Sequence, residues 1–215
     1  MLIQYALKIL LAYCLGGLLG GDVLRWLRGG VDLRTTGSGN VGATNALRAR
    51  GLRFALGVLA FDVGKGVCAV LLIPRLPWIG ATEAGIHSLL PYFCGYSVLL
   101  GHCFPLYQRF RGGKGVATLA GVFGALFPAL LPILLAIFVV IVLATGYVSL
   151  ASMAASAAAM LIVGTRAGLG SVAWTFTAAV FIVVLWKHRL NLVRLTRGEE
   201  GRFEKARLLR RRGRS

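Results

Sequence analysis

The chain has 215 residues, of which 57% are hydrophobic and only 14% charged, and its mean hydropathy is +0.77. A water-soluble domain carries about 25% charged residues, so the composition excludes one and predicts a single polytopic, all-α membrane domain over 1–215. The net charge of +17 invites a nucleic-acid reading. The basic residues, however, cluster in short segments beside apolar runs, as membrane topology demands, and no nucleic-acid partner is expected.

The first apolar run covers about 4–25. It is too long and too rich in glycine for a signal peptide, and no A-x-A-like site precedes its charges, so it reads as a retained anchor. Gly16 with Gly20, and Gly17 with Gly21, have the four-residue spacing that lets transmembrane backbones approach closely.

A first glycine-rich loop follows, Thr36-Gly37-Ser38-Gly39-Asn40-Val41-Gly42-Ala43-Thr44-Asn45-Ala46-Leu47-Arg48. Glycines open backbone conformations closed to other residues. Ser38, Asn40, Thr44 and Asn45 add side-chain donors, and Arg48 is able to grip a phosphate with two parallel bonds. A helix starting near Gly42 puts Asn45 and Arg48 one turn apart on one face. The same residue types also build plain turns and helix caps.

The second apolar run, about 53–73, contains Asp62 and Lys65. Their i, i+3 spacing predicts an internal ion pair, which lowers the cost of burying either charge. A third run covers about 86–102. The second loop then reads Pro105-Leu106-Tyr107-Gln108-Arg109-Phe110-Arg111-Gly112-Gly113-Lys114-Gly115. It departs from a nucleotide-binding Walker loop, because Gln108 replaces the leading glycine and Gly115 the Ser/Thr that would hold Mg²⁺. A nucleotide triphosphatase is disfavoured on that ground. Attraction of a basic loop to anionic lipid explains Arg109 and Arg111, but not the glycines around Lys114.

Four further apolar runs are read at about 116–129, 131–147, 149–165 and 170–187, with Ala151, Ala155 and Ala159 again at four-residue spacing. The basic tail begins at about 188. On a continuing helix, His188, Asn191 and Leu195 would share one face; Arg207 to Arg214 read as a polybasic lipid anchor.

Twenty of the 24 Lys and Arg residues lie in three segments: 25–53, 102–115 and the tail from Lys187. These should share the cytoplasmic side. Seven spans result, with the N-terminus outside, the C-terminus inside, and both glycine loops on one face with the tail. The cysteines (Cys14, Cys68, Cys94, Cys103) lack C-x-x-C spacing and read as buried free thiols, and no H-x-x-x-H pair marks a metal site. No cofactor and no metal are expected. A transporter for phosphorylated solutes and a lipid-binding scaffold compete with an enzyme. Transporter sites usually sit at the bilayer midplane between repeats, and no repeat is evident; a scaffold leaves the glycine loops unexplained.

Taken together, the blocks Gly37-Ser38-Gly39-Asn40…Gly42-Ala43-Thr44-Asn45…Arg48, Gly101-His102…Phe104-Pro105…Gly112-Gly113-Lys114-Gly115-Val116-Ala117-Thr118 and His188…Asn191…Arg194-Leu195…Gly198…Glu200 resemble the PlsY family of bacterial membrane glycerol-3-phosphate acyltransferases. Asp62…Lys65-Gly66 fits as well. Gly201 stands where that family often has proline, and Arg111 where lysine is common. The resemblance implies a seven-span membrane fold in the bacterial inner membrane, with its active site facing the cytoplasm. It implies transfer of an acyl group from acyl phosphate to the 1-hydroxyl of sn-glycerol 3-phosphate, giving lysophosphatidic acid and phosphate. A partner enzyme would make the acyl phosphate.

Carried over, the resemblance marks Ser38, Arg48, Lys114, His188 and Asn191 as functional, with Gly112 and Gly113 in the glycerol-phosphate loop and Glu200 as structural support. Gly39, Asn40, Thr44 and Asn45 complete the expected substrate-binding set. Arg48, Ser38 and Asn45 are expected to serve the acyl phosphate, and Lys114 the glycerol phosphate. The H-x-x-x-x-D pair of other glycerolipid acyltransferases is absent, since Tyr92, Tyr107 and Val193 follow the three histidines at that spacing. His188 is a candidate base or orienter, and the leaving phosphate is the favoured proton acceptor.

Overall fold

Lipid offers backbone N–H and C=O groups no partners, so apolar runs of this kind satisfy themselves as helices. The computed structural model describes residues 2–76 and 89–203, and every regular element among them is helical. The Arg207–Arg214 anchor and the start of the third run lie outside the described residues. In chain order the α-helices are α1 (Leu2–Gly17), α2 (Gly20–Arg28), α3 (Ala43–Arg50), α4 (Leu52–Leu71), α5 (Leu90–Cys103), α6 (Val116–Leu126), α7 (Leu131–Thr145), α8 (Val148–Ala167), α9 (Val172–Lys187) and α10 (Arg189–Thr196). Two are long and apolar enough to cross a membrane unaided: α4 with its short extension to Arg75, and α8.

Two further candidates are bent pairs, α1 with α2 (56°) and α9 with α10 (58°). The first apolar run is therefore not one helix, as its hydropathy suggests, and the residues that break it come from α4. The Lys65 ammonium donates to the carbonyls of Gly16 (2.9 Å) and Leu18 (2.8 Å), and the Asp62 carboxylate accepts from the Gly20 N–H (3.2 Å). A cation at the carbonyl end of α1 and an anion at the amide end of α2 each meet the helix pole they complement. The i, i+3 pair expected from sequence is present at 2.8 Å and deeply buried. Its second task is to cap both ends of the break.

The described chain forms two compact units, Met1–Phe127 and Pro128–Ser215. In the first, α1 packs along α5 and α4 along α6. Small residues set that closeness: a Cβ on Gly16 would overlap the Val98 carbonyl, and one on Gly121 the Val63 carbonyl. A hydrophobic cluster of Leu19, Leu24, Leu33, Val41, Ala46, Phe54 and Val58 fixes α2, the first loop and α3 against α4.

In the second unit, α8 packs on both α7 and α9, with Ala151 and Ala159 fully buried. The chain after α10 folds back on the α7–α8 corner. There the Phe203 N–H donates to the Gly146 carbonyl (2.7 Å), and the Arg202 guanidinium lies over the Tyr147 ring at 5.0 Å.

Candidate active site

The first glycine loop is built around one buried amide. Asn45, in the first turn of α3, directs its side-chain nitrogen to the carbonyls of Leu33 (2.8 Å), Asn40 (2.9 Å) and Thr36 (3.0 Å). Its oxygen accepts from the Ser38 N–H at 3.1 Å. Gly37 turns through a left-handed conformation (φ 54°) directly over that oxygen, where a Cβ would overlap it. Asn45 thus folds the loop, and its amide is already engaged four times over. Ser38, Gly39 and Arg48 are exposed, Asn40 and Thr44 half-buried.

Arg34, within the loop's approach, grips the Asp22 carboxylate on α2 with two bonds of 2.6 and 2.8 Å. Asp32 starts the short turn that carries Arg34. A hydrogen bond from the Arg34 N–H holds its carboxyl below the usual range; burial opposes this, and the Arg34 and Arg25 charges reinforce it.

The second glycine loop leaves α5 through a tight corner in which Arg109 and Phe110 both have positive φ (50° and 62°). Non-glycine residues in that region carry strain, which concentrates at functional sites. The Phe110 N–H donates to the Pro105 carbonyl (2.9 Å) and the Gly113 N–H to the His102 carbonyl (3.0 Å). A Cβ on Gly112 would overlap that His102 carbonyl, and one on Gly113 the His102 ring. Gly115, at φ 79°, is the cap from which α6 starts. Lys114 therefore sits just before a helix N-terminus, whose free N–H groups and dipole favour an anion.

Both loops meet the start of α2. Gly21 packs under the Val41 carbonyl and Leu33 of the first loop. From the second loop, Gln108 Nε2 lies 3.4 Å from the same Asp22 carboxylate that Arg34 holds. Beside it the Tyr107 hydroxyl donates to the Cys14 carbonyl (2.9 Å). Desolvation, more than the neighbouring groups, pushes that phenol up to about 12, so it stays a neutral donor.

In the second unit, His188 falls in the bend between α9 and α10, so the continuous helix expected from sequence is interrupted there. The ring is buried, and its Nδ1 donates to the Val184 carbonyl at 2.8 Å. A carbonyl only accepts, so Nδ1 carries a proton. Three residues on, buried Asn191 donates to Glu200 Oε1 (2.6 Å), which also accepts from Ser149 on α8 (2.7 Å); Arg194 pairs with Oε2 (2.9 Å). Burial pushes the Glu200 carboxyl up, but these three donors outweigh it and hold it below the usual range.

Four residues important to this geometry were not selected from sequence. Asp22 lies within the first apolar run and Arg34 among the basic residues of 25–53, and neither belongs to a motif. Ser149 carries no signal within an apolar run, and His102 was quoted in a block without a task.

The match to known proteins is extensive. A family described as glycerol-3-phosphate acyltransferase matches residues 6–198. The chain belongs to that family. Relatives named glycerol-3-phosphate acyltransferase include one from Syntrophotalea carbinolica, 35% identical over 94% of this chain and 98% of its own. Another from Aquifex aeolicus is 38% identical over 91% and 97%. The crystal structure of PlsY, an integral membrane glycerol 3-phosphate acyltransferase, in its glycerol 3-phosphate form superposes with a TM-score of 0.79. That likeness has 35% identity and covers 93% of this chain and 95% of that one. Its lysophosphatidic acid form gives 0.79 at 34% identity, covering 94% and 97%. As a glycerol-3-phosphate acyltransferase of the PlsY type, the chain is an acyltransferase of glycerolipid synthesis with an all-helical, integral-membrane architecture. Its cation-bearing glycine loops are suited to a substrate that carries a phosphate.

Proposed function

We propose that this acyltransferase takes its acyl group from acyl phosphate and delivers it to the 1-hydroxyl of sn-glycerol 3-phosphate. The products are 1-acyl-sn-glycerol 3-phosphate and inorganic phosphate, and the reaction is the first acylation of phospholipid synthesis. The observation that carries the reading is that the approach to the first glycine loop and the second glycine loop meet on Asp22, each loop leading into a helix N-terminus. Two anions brought close together repel by about 1–4 kcal/mol at surface-like dielectric. Two adjacent cation-bearing loops offset that repulsion.

Lys114, with Gly112 and Gly113, receives the glycerol phosphate. Arg48 and Ser38 face the acyl phosphate and the oxyanion that develops on its carbonyl, with Gly39, Asn40 and Thr44 lining the same loop. Asn45 acts through the loop it folds. Apolar helix surfaces take the acyl chain, at about 0.8 kcal/mol per buried CH₂.

The glycerol hydroxyl oxygen attacks the acyl carbonyl, the carbonyl–phosphate C–O bond breaks, and the phosphate leaves with the bonding pair. The hydroxyl proton passes to the departing phosphate, which is released as hydrogen phosphate. Transfer is direct, and Ser38 binds without forming an ester. Within the second unit, His188 and Asn191 are the catalytic residues, and Glu200 holds Asn191.

The enzyme sits in the inner membrane with seven crossings, its N-terminus outside, its C-terminus and active site cytoplasmic, and it depends on an enzyme that supplies acyl phosphate. Purified protein in detergent, given acyl phosphate and glycerol 3-phosphate, should release one phosphate per lysophosphatidic acid formed. Absence of turnover with this donor contradicts the reading, and an acyl group trapped on Ser38 during turnover overturns direct transfer.

A further inference from the structure

The second glycine loop does not rest on itself. Its packing surface is His102, in the last turn of α5 and 3% exposed. The Gly113 N–H donates to the His102 carbonyl at 3.0 Å, and the Nε2 edge of the ring lies so close to Gly113 that a Cβ there would overlap it. The opposite ring nitrogen, Nδ1, faces inward to Lys65 Nζ at 2.9 Å, Thr118 Oγ1 at 3.1 Å and Asp62 Oδ1 at 3.5 Å.

Lys65 is held in place by the Gly16 and Leu18 carbonyls and by Asp62. The imidazole is thereby fixed with its Nδ1 side among buried charges, and its Nε2 edge is turned outward, toward the loop.

We propose that His102 is a positioning residue for substrate binding. The buried Asp62–Lys65 pair fixes its ring, and its Nε2 edge holds residues 112–115 in the shape that receives the glycerol phosphate. The pair that caps the break in the first span is therefore linked to the phosphate loop through one imidazole. This rests on the assignment of the Lys114 loop to glycerol phosphate.

The test compares His102→Gln, whose amide reaches the position of Nε2, with His102→Asn, whose amide reaches only that of Nδ1. Kinetics of the purified enzyme are run beside Lys114→Ala. His102→Asn should raise the KM for glycerol 3-phosphate at least about tenfold. It should leave the KM for acyl phosphate within about twofold, and His102→Gln should recover most of the loss. A merely structural histidine would lower the amount of folded enzyme without separating the two KM values. If Lys114→Ala raises the glycerol-phosphate KM and His102→Asn does not, the positioning role is overturned and the loop assignment stands. If neither variant moves it, both fall.

Discussion

Arg34 clasps Asp22 through both guanidinium nitrogens, at 2.6 and 2.8 Å, and this fork ties the first glycine loop to the helix on which the second also rests. Both side chains are about three-quarters buried, so the bonds are shielded from much of the screening that weakens surface pairs. Burial lowers the Arg34 pKa, but the Asp22 hydrogen bond, the largest influence, raises it further above its ordinary value. Asp22→Ala should therefore cost at least about tenfold in kcat/KM, since charge-assisted bonds contribute about 1.5–3 kcal/mol each. The exchanged pair Asp22→Arg with Arg34→Asp should recover part of it. Wild-type kinetics in Asp22→Ala would show that the fork has no part in ordering the loops.

Lys114 precedes the α6 N-terminus, where its charge adds to that of the helix pole. Lys114→Ala should raise the KM for glycerol 3-phosphate at least as much as it lowers kcat, by steady-state kinetics at saturating acyl phosphate. An unchanged KM would remove Lys114 from that pocket.

Much of the helical framework is legible in hydropathy. Runs read at 53–73, 149–165 and 170–187 correspond to Leu52–Leu71, Val148–Ala167 and Val172–Lys187. The break in the first run is not legible, because Leu15-Gly16-Gly17-Leu18-Leu19 continues the apolar pattern without interruption. What opens that helix is a lysine and an aspartate more than forty residues away, a tertiary cause that no local window contains. The two glycine loops stand out because glycine, serine and asparagine are rare beside apolar spans. The inward turn of Asn45 is not visible in the same letters, since an amide that folds a loop and one that binds phosphate look identical. Asp22, Arg34 and His102 escape notice because their meaning lies in partners remote in sequence.

Asp62 and Lys65 are 1% and 4% exposed, so neither charge is tolerable alone. Asp62→Ala should destabilise the protein by about 3–5 kcal/mol, because it leaves a buried ammonium uncompensated. It also uncaps α2. Thermal unfolding in detergent measures this, and a Tm equal to wild type would mean that the pair does not hold the first unit together.

Glu200 yields a pH prediction with a definite sign. Its folded pKa lies below its ordinary 4.5, so the unfolded chain binds the proton more readily. Its contribution to stability is complete above about 4.5 and is lost as pH falls through the depressed folded value. Wild-type Tm should fall more steeply than that of Glu200→Gln as pH drops below about 4.5. Parallel curves would contradict the assignment of the carboxylate to Ser149, Asn191 and Arg194.

The central claim is that the two glycine loops serve one site at one membrane face. Ser38→Cys and Lys114→Cys, each placed singly in a chain with its four native cysteines replaced by serine, allow that to be measured in sealed, oriented vesicles. An impermeant maleimide should reach both positions from the cytoplasmic side only. Labelling of the two from opposite sides of the membrane would contradict the account.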